Sequence, residues 1–157
     1  MLHFAYGANM HRAVMRRHAP AAIPIGAAVL ADHRFTISAD GYASVVQQRG
    51  WAVHGVLWRI ALRDRVTLDA WENVAAKLYS AATVPVRCGN RLRPALIYIA
   101  RGSRAGSPKP SYMELVIAAA QAWQLPDDYI VSSLQPWLPR RPSNAGPRKL
   151  GDISWMS

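Results

Sequence analysis

Apolar residues in this chain fall mostly in short alternating runs, with helical spacing confined to a few stretches. The first run, Leu2-His3-Phe4-Ala5, stops at a glycine and an asparagine, so a strand, a glycine turn and an Asn9-capped helix over 10–18 are expected. Strands are expected over 23–30, with Pro24 near its start, over 34–38 and over 42–47; the last two form a hairpin around Ala39-Asp40-Gly41. Residues 51–61 are apolar at odd and even positions alike, the pattern of a strand covered on both faces. Gly55 inside that run predicts a bulge or the close approach of another backbone. A short helix over 63–73, capped at Asp64 or Thr67, precedes strands over 78–87 and 93–100. In the first of these strands Leu78, Ala82, Val84 and Val86 form one face, and Tyr79, Thr83 and Arg87 the other.

A Gly/Ser/Pro loop over 102–109 leads to Ser111-Tyr112-Met113-Glu114, which has the capping-box pattern of a helix running to Trp123 or Gln124. Pro126-Asp127-Asp128 opens a last helix through Leu134. Pro136, Pro139, Pro142 and Pro147, with Arg140-Arg141, describe an extended tail. Strands dominate the first two thirds and helices the last, so an α+β domain over 1–138 with a Pro/Arg-rich tail over 139–157 is expected.

Composition narrows this picture without changing it. Of 157 residues 51% are hydrophobic and 18% charged, enough for a real core and too apolar for a disordered chain. The single cysteine, Cys88, excludes an internal disulfide framework and a zinc cluster; packing or a weakly exposed thiol is its expected role. No apolar stretch reaches the ~20 residues of a spanning helix, and no secretion signal opens the chain, so a cytoplasmic protein without membrane contact is expected. The net charge of +10 raises the possibility of nucleic-acid binding. Its arginines are scattered, however, and no nucleic-acid motif accompanies them, so a solvated surface is the preferred reading.

Two features could carry chemistry. The turn after Phe4 can point backbone N–H groups into one small volume, where a carboxylate or phosphate would fit. Taken alone, it is also an ordinary strand and tight turn. Asp69 and Glu72 lie three apart on one helix face beside Trp71. A second carboxylate or an apolar setting would raise a pKa toward that of a general base; a solvated helix face is the plainer alternative. The five histidines lack metal-ligand spacing, and no nucleophile elbow, Walker loop or dinucleotide fingerprint is present.

In order along the chain, Phe4-Ala5-Tyr6-Gly7-Ala8-Asn9-Met10, Gly55-Val56-Leu57-Trp58-Arg59-Ile60, Leu68-Asp69-Ala70-Trp71-Glu72, Tyr79, Pro108-Lys109-Pro110-Ser111-Tyr112 and Leu125-Pro126-Asp127-Asp128-Tyr129 resemble the gamma-glutamylcyclotransferase-like family, as a bacterial member. The resemblance covers roughly residues 2 to 135. It implies a small mixed β-barrel flanked by α-helices. It also implies cyclisation of a small gamma-glutamyl substrate to 5-oxoproline with release of an amine, and no metal or cofactor. Residue by residue, Glu72 matches the catalytic acid/base. Tyr6, Gly7, Ala8, Asn9 and Met10 match the substrate-holding loop, and Tyr79 and Tyr112 match tyrosines lining the pocket. Ala8 stands where Ser is common, and Asn73 where many members carry Gly; Asn tolerates the left-handed backbone that such a turn needs. A non-catalytic binding module of the same fold is the alternative, and a nucleic-acid-associated protein a further one.

Overall fold

The computed structural model describes residues 1–140. Five strands close into a barrel in the order β1 (Leu2–Ala5), β3 (Ala43–Arg59), β2 (Ile23–Ile37), β4 (Tyr79–Cys88) and β5 (Arg91–Ala100). β1 completes the barrel: it pairs antiparallel with β3, Phe4 opposite Leu57, and parallel with β5 at His3 and Leu96. Closure leaves no free edge and gives the four-residue first strand partners on both sides, so the segment leading into the turn is firmly held. The expected mixed barrel with flanking helices is the observed architecture.

The two expected strand pairs in the first half are each one long strand. β2 and β3 form a continuous antiparallel ladder from Ile23 opposite Arg59 to Ile37 opposite Ala43. Its register shifts between Ala31 and His33, where the backbone passes through Asp32 at φ +57 and, opposite, Gly50 at φ +84. The Asp32 carboxylate accepts from the Gly50 amide at 3.0 Å. Polar residues at this irregularity interrupt the alternation in the sequence while the ladder continues past them. Gly55 has the close approach expected of it: a Cβ there would stand 2.8 and 2.9 Å from the Phe4 ring and would meet the Ala5 carbonyl. β3 is covered on both faces over Gly55–Trp58, where Trp58 meets Trp123 edge-on at 5.7 Å, while its middle, Gln47–Trp51, is exposed.

α1 (Arg12–His18), α2 (Leu62–Trp71), α3 (Tyr112–Ala122) and the short α4 (Asp127–Tyr129) flank the barrel. α4 widens into a π-helical turn at Ile130–Leu134 and then tightens to a 3-10 turn at Gln135–Trp137. Ala61 occupies the N-cap position of α2, and Asp64, three residues in, accepts from its amide at 3.0 Å. Asp64 therefore completes the helix start from within, whereas Thr67 lies mid-helix with its hydroxyl donating to the Arg63 carbonyl at 3.3 Å. Ser111 does not form the expected capping box: it lies at φ +62 and its side chain makes no cap bond. The N-cap residue normally holds extended backbone so that its side chain reaches the first-turn amides, and the left-handed Ser111 departs from it. Leu78, just before β4, is exposed, while Tyr79 and Val86, expected on opposite faces of the strand, are both buried. Cys88, unpaired and partly buried, ends β4. Among the described residues no helix is long and apolar enough to cross a membrane. Apart from Pro139 and Arg140, the expected tail lies outside the described residues.

Candidate active site

β1 delivers the chain into a loop whose conformation is set by crowding. Gly7 lies at φ −117, outside the left-handed region. It supplies space: a Cβ would stand 2.7 Å from the Tyr112 hydroxyl and 2.8 Å from the Ala43 Cβ. Ala8–Met10 then forms a 3-10 turn, with the Met10 amide on the Gly7 carbonyl (3.0 Å) and the His11 amide on the Ala8 carbonyl (2.9 Å). The amides of Gly7 and Asn9 have no acceptor among the described residues. Asn9 does not cap α1 as expected. His11 does, its Nδ1 accepting from the Ala13 amide at 3.2 Å. The tighter 3-10 turn moves the helix start two residues on and turns the Asn9 side chain inward.

What Asn9 meets is Glu72. Its Nδ2 donates to Glu72 Oε1 at 3.1 Å, a bond spanning 63 residues of sequence. Glu72 follows the last turn of α2, its amide still bonded to the Leu68 carbonyl at 2.8 Å, with the fully buried Leu68 anchoring that turn. Asn73 then takes the left-handed conformation expected of it, φ +51, and ends the helix. The loop and Glu72 face one cavity of about 190 Å³, lined also by Tyr6, Gly7, Ala8, Asp40, Trp71, Tyr79 and Tyr112.

Surrounding atoms strip the Glu72 carboxyl of most of its hydration, although the residue keeps partial solvent access through the cavity. Burial raises its pKa from 4.5 to about 7, against the opposing pull of the Asn9 hydrogen bond. Asp69 is not the cause. Its Oδ1 accepts from Arg65 Nε at 2.7 Å and from the Tyr98 hydroxyl at 2.6 Å. Of the two settings considered for a raised carboxylate pKa, the apolar one is realised and the paired one is not.

The tyrosines hold the walls. Tyr79 donates to the Ala43 carbonyl at 2.8 Å, and the Tyr112 hydroxyl oxygen accepts from the Ala43 amide at 3.1 Å and the Ala8 amide at 3.4 Å. Tyr6 donates to the Tyr98 carbonyl at 2.5 Å. Burial pushes all four of these phenols upward, Tyr98 included, so they stay protonated near neutrality. Met10 does not reach the cavity. Its side chain is fully buried in the core and its carbonyl accepts from Trp123 Nε1 at 2.8 Å. His3, Asp40, Tyr42 and Tyr98 line the cavity without having been singled out in the sequence. They come from a hairpin turn and from strand positions, where no local signal marks a pocket. Among the described residues no group of three or more His, Cys, Asp or Glu is placed to hold a metal ion.

The sequence profile of the AIG2-like family matches residues 52–133, just over half of the chain, and takes in Glu72 and Tyr79. The chain belongs to the AIG2-like family. It is similar to the mouse gamma-glutamylcyclotransferase, at 26% identity over 140 residues, 82% of this chain and 74% of the mouse protein. A solved structure named gamma-glutamyl cyclotransferase shares the fold, with a TM-score of 0.84 at 22% identity over 98% of this chain and 96% of that one. YkqA from Bacillus subtilis superposes with a TM-score of 0.71 at 27% identity, over 85% of this chain and 55% of that one.

Proposed function

We propose that this family member is a gamma-glutamylcyclotransferase-like enzyme that cyclises a gamma-glutamyl substrate to 5-oxoproline and releases an amine. The observation that carries the reading is one carboxyl, Glu72, raised to about 7 and facing the amide-lined loop across a small cavity. A base for this reaction should titrate near the working pH, and burial supplies that shift.

The substrate's α-carboxylate occupies the loop, where the Gly7 and Asn9 amides can donate to it. Its α-ammonium then lies toward Glu72 and gives the carboxylate a proton. The freed amine attacks the gamma-carbonyl carbon, forming the ring C–N bond, and the old C–N bond breaks as the carbonyl re-forms. Two protons leave the attacking nitrogen and two arrive on the departing one, which leaves as an ammonium. Glu72 can carry them in turn. Holding both ends of the glutamyl group turns the attack into a positioned intramolecular step.

The test is release of 5-oxoproline from a panel of gamma-glutamyl amines and peptides. Turnover of at least one, lost in Glu72→Gln, is the expected result. A panel without product refutes the reading. A rise in melting temperature with glutamate or 5-oxoproline in the absence of any turnover identifies a binding module instead.

A further inference from the structure

The charged side chains facing the cavity are few and of one sign. Asp40 and Glu72 line it, and among the described residues no lysine or arginine does, in a chain of net charge +10. His3 is no cation either, since burial lowers its pKa to about 4. A carboxylate on the departing part of a substrate would find no basic side chain here. An ammonium would find Asp40, because Glu72 is engaged by the substrate's own α-amine.

Asp40 is held in position by its backbone. It sits in the turn joining β2 to β3, where the Ser38 amide bonds to the Tyr42 carbonyl (2.8 Å) and the Gly41 amide to the Ser38 carbonyl (2.9 Å). Gly41 occupies φ +89, and its carbonyl accepts from the Lys109 amide at 3.0 Å. Gly106 packs against the Ser38–Ala39 backbone on the same side, its amide on the Ile37 carbonyl at 3.0 Å. The carboxylate is exposed at the mouth, and its charge reaches the hydroxyls of Tyr42 and Tyr79 on the wall. Lys109 lies close, its Cγ beside Gly41, yet Asp40 has no ion-pair partner among the described residues.

We propose that Asp40 is a specificity-determining residue, selecting gamma-glutamyl conjugates whose leaving amine carries a second positive charge over those whose leaving group ends in a carboxylate. The proposal rests on the cyclotransferase reading and names the substrate class for it. The test uses the full chain and three conjugates of similar length, those of 1,4-diaminobutane, butylamine and 4-aminobutyrate. Both 5-oxoproline release and affinity by calorimetry are measured. The diamine conjugate is expected to exceed the butylamine conjugate by about fivefold in kcat/KM and in affinity, as an exposed charge pair allows. The 4-aminobutyrate conjugate should fall below both. Raising salt to about 0.5 M should compress the spread, and Asp40→Asn should bring the diamine-to-butylamine ratio toward one. Equal ratios in wild type and Asp40→Asn, or preference for the carboxylate-bearing conjugate, overturn the proposal. If none of the three yields 5-oxoproline, the reaction assignment is decided separately by the wider panel of gamma-glutamyl amines and peptides. The affinities then decide on Asp40: a diamine preference lost in Asp40→Asn supports the role, and its absence refutes it.

Discussion

Replacing Glu72 with Gln should make the protein more stable at alkaline pH and leave it nearly unchanged in acid. The carboxyl titrates at about 7 in the folded chain against 4.5 when unfolded, because burial disfavours its charged form. Below 4.5 both states hold the proton and the group contributes no pH dependence. Between 4.5 and 7 the unfolded chain releases the proton while the folded chain retains it, so wild-type stability falls as pH rises. Above 7 both states are ionised and the loss is complete. At about 1.4 kcal/mol per pH unit, the shift from 4.5 to about 7 gives an upper bound of roughly 3.5 kcal/mol, lowered to about 2–3 by the cavity's opening to water. Glutamine is isosteric with the protonated acid, keeps an acceptor for Asn9 and does not titrate. Urea unfolding at pH 4.5 and pH 8 measures the difference directly, and the other titrating groups, His3 among them, cancel between the two proteins. The variant should gain about 5–10 °C in Tm at pH 8 for a chain of this size, and little at pH 4.5. A gap of the same size at both pH values, or a less stable variant at pH 8, would refute the claim that burial sets this carboxyl's pKa.

The pH profile of kcat/KM should rise through a midpoint near 7, the limb of a base that must be ionised. Asn9→Ala should move that limb to higher pH, since the lost hydrogen bond favours the charged form; a profile flat from pH 5 to 8 contradicts both statements. Gly7→Ala should cost about 1–3 kcal/mol by overpacking. Part of that cost should return in the Gly7→Ala, Tyr112→Phe double variant, because the hydroxyl is the nearest atom to the added methyl. Purely additive losses in urea unfolding would show that this contact does not set the loop.

Local signals carried much of the fold. Residues 51–61 read as a strand covered on both faces; the strand ends at Arg59, and within it Val53 and Gly55–Trp58 are buried on both faces while Trp51 and Arg59 stay exposed. Gly55 was legible as a close approach. The sequence failed where chemistry and geometry part locally. Asn9 is a good cap by residue type, but the 3-10 turn before α1 hands the cap to His11 and sends Asn9 to a partner 63 residues away. Met10 stands among loop residues in the sequence, yet the same turn points it into the core. Asp69 and Glu72 share a helix face, but Arg65, one helical turn before Asp69, and Tyr98, 29 residues on in β5, occupy Asp69, and the Tyr98 partner shows only in the tertiary structure.

The chain's order of residues determined by itself that a strand enters a crowded turn, that a short helix ends on a carboxylate, and that enough apolar surface exists to close a barrel around them. These are matters of periodicity and side-chain size, written within a dozen neighbouring residues. Only the closed barrel decided that the turn, the end of α2, the β2–β3 hairpin and β5 share one cavity. A pKa near 7 and a single-sign electrostatic wall depend on which distant groups exclude water from a carboxyl, and no local stretch of sequence specifies that.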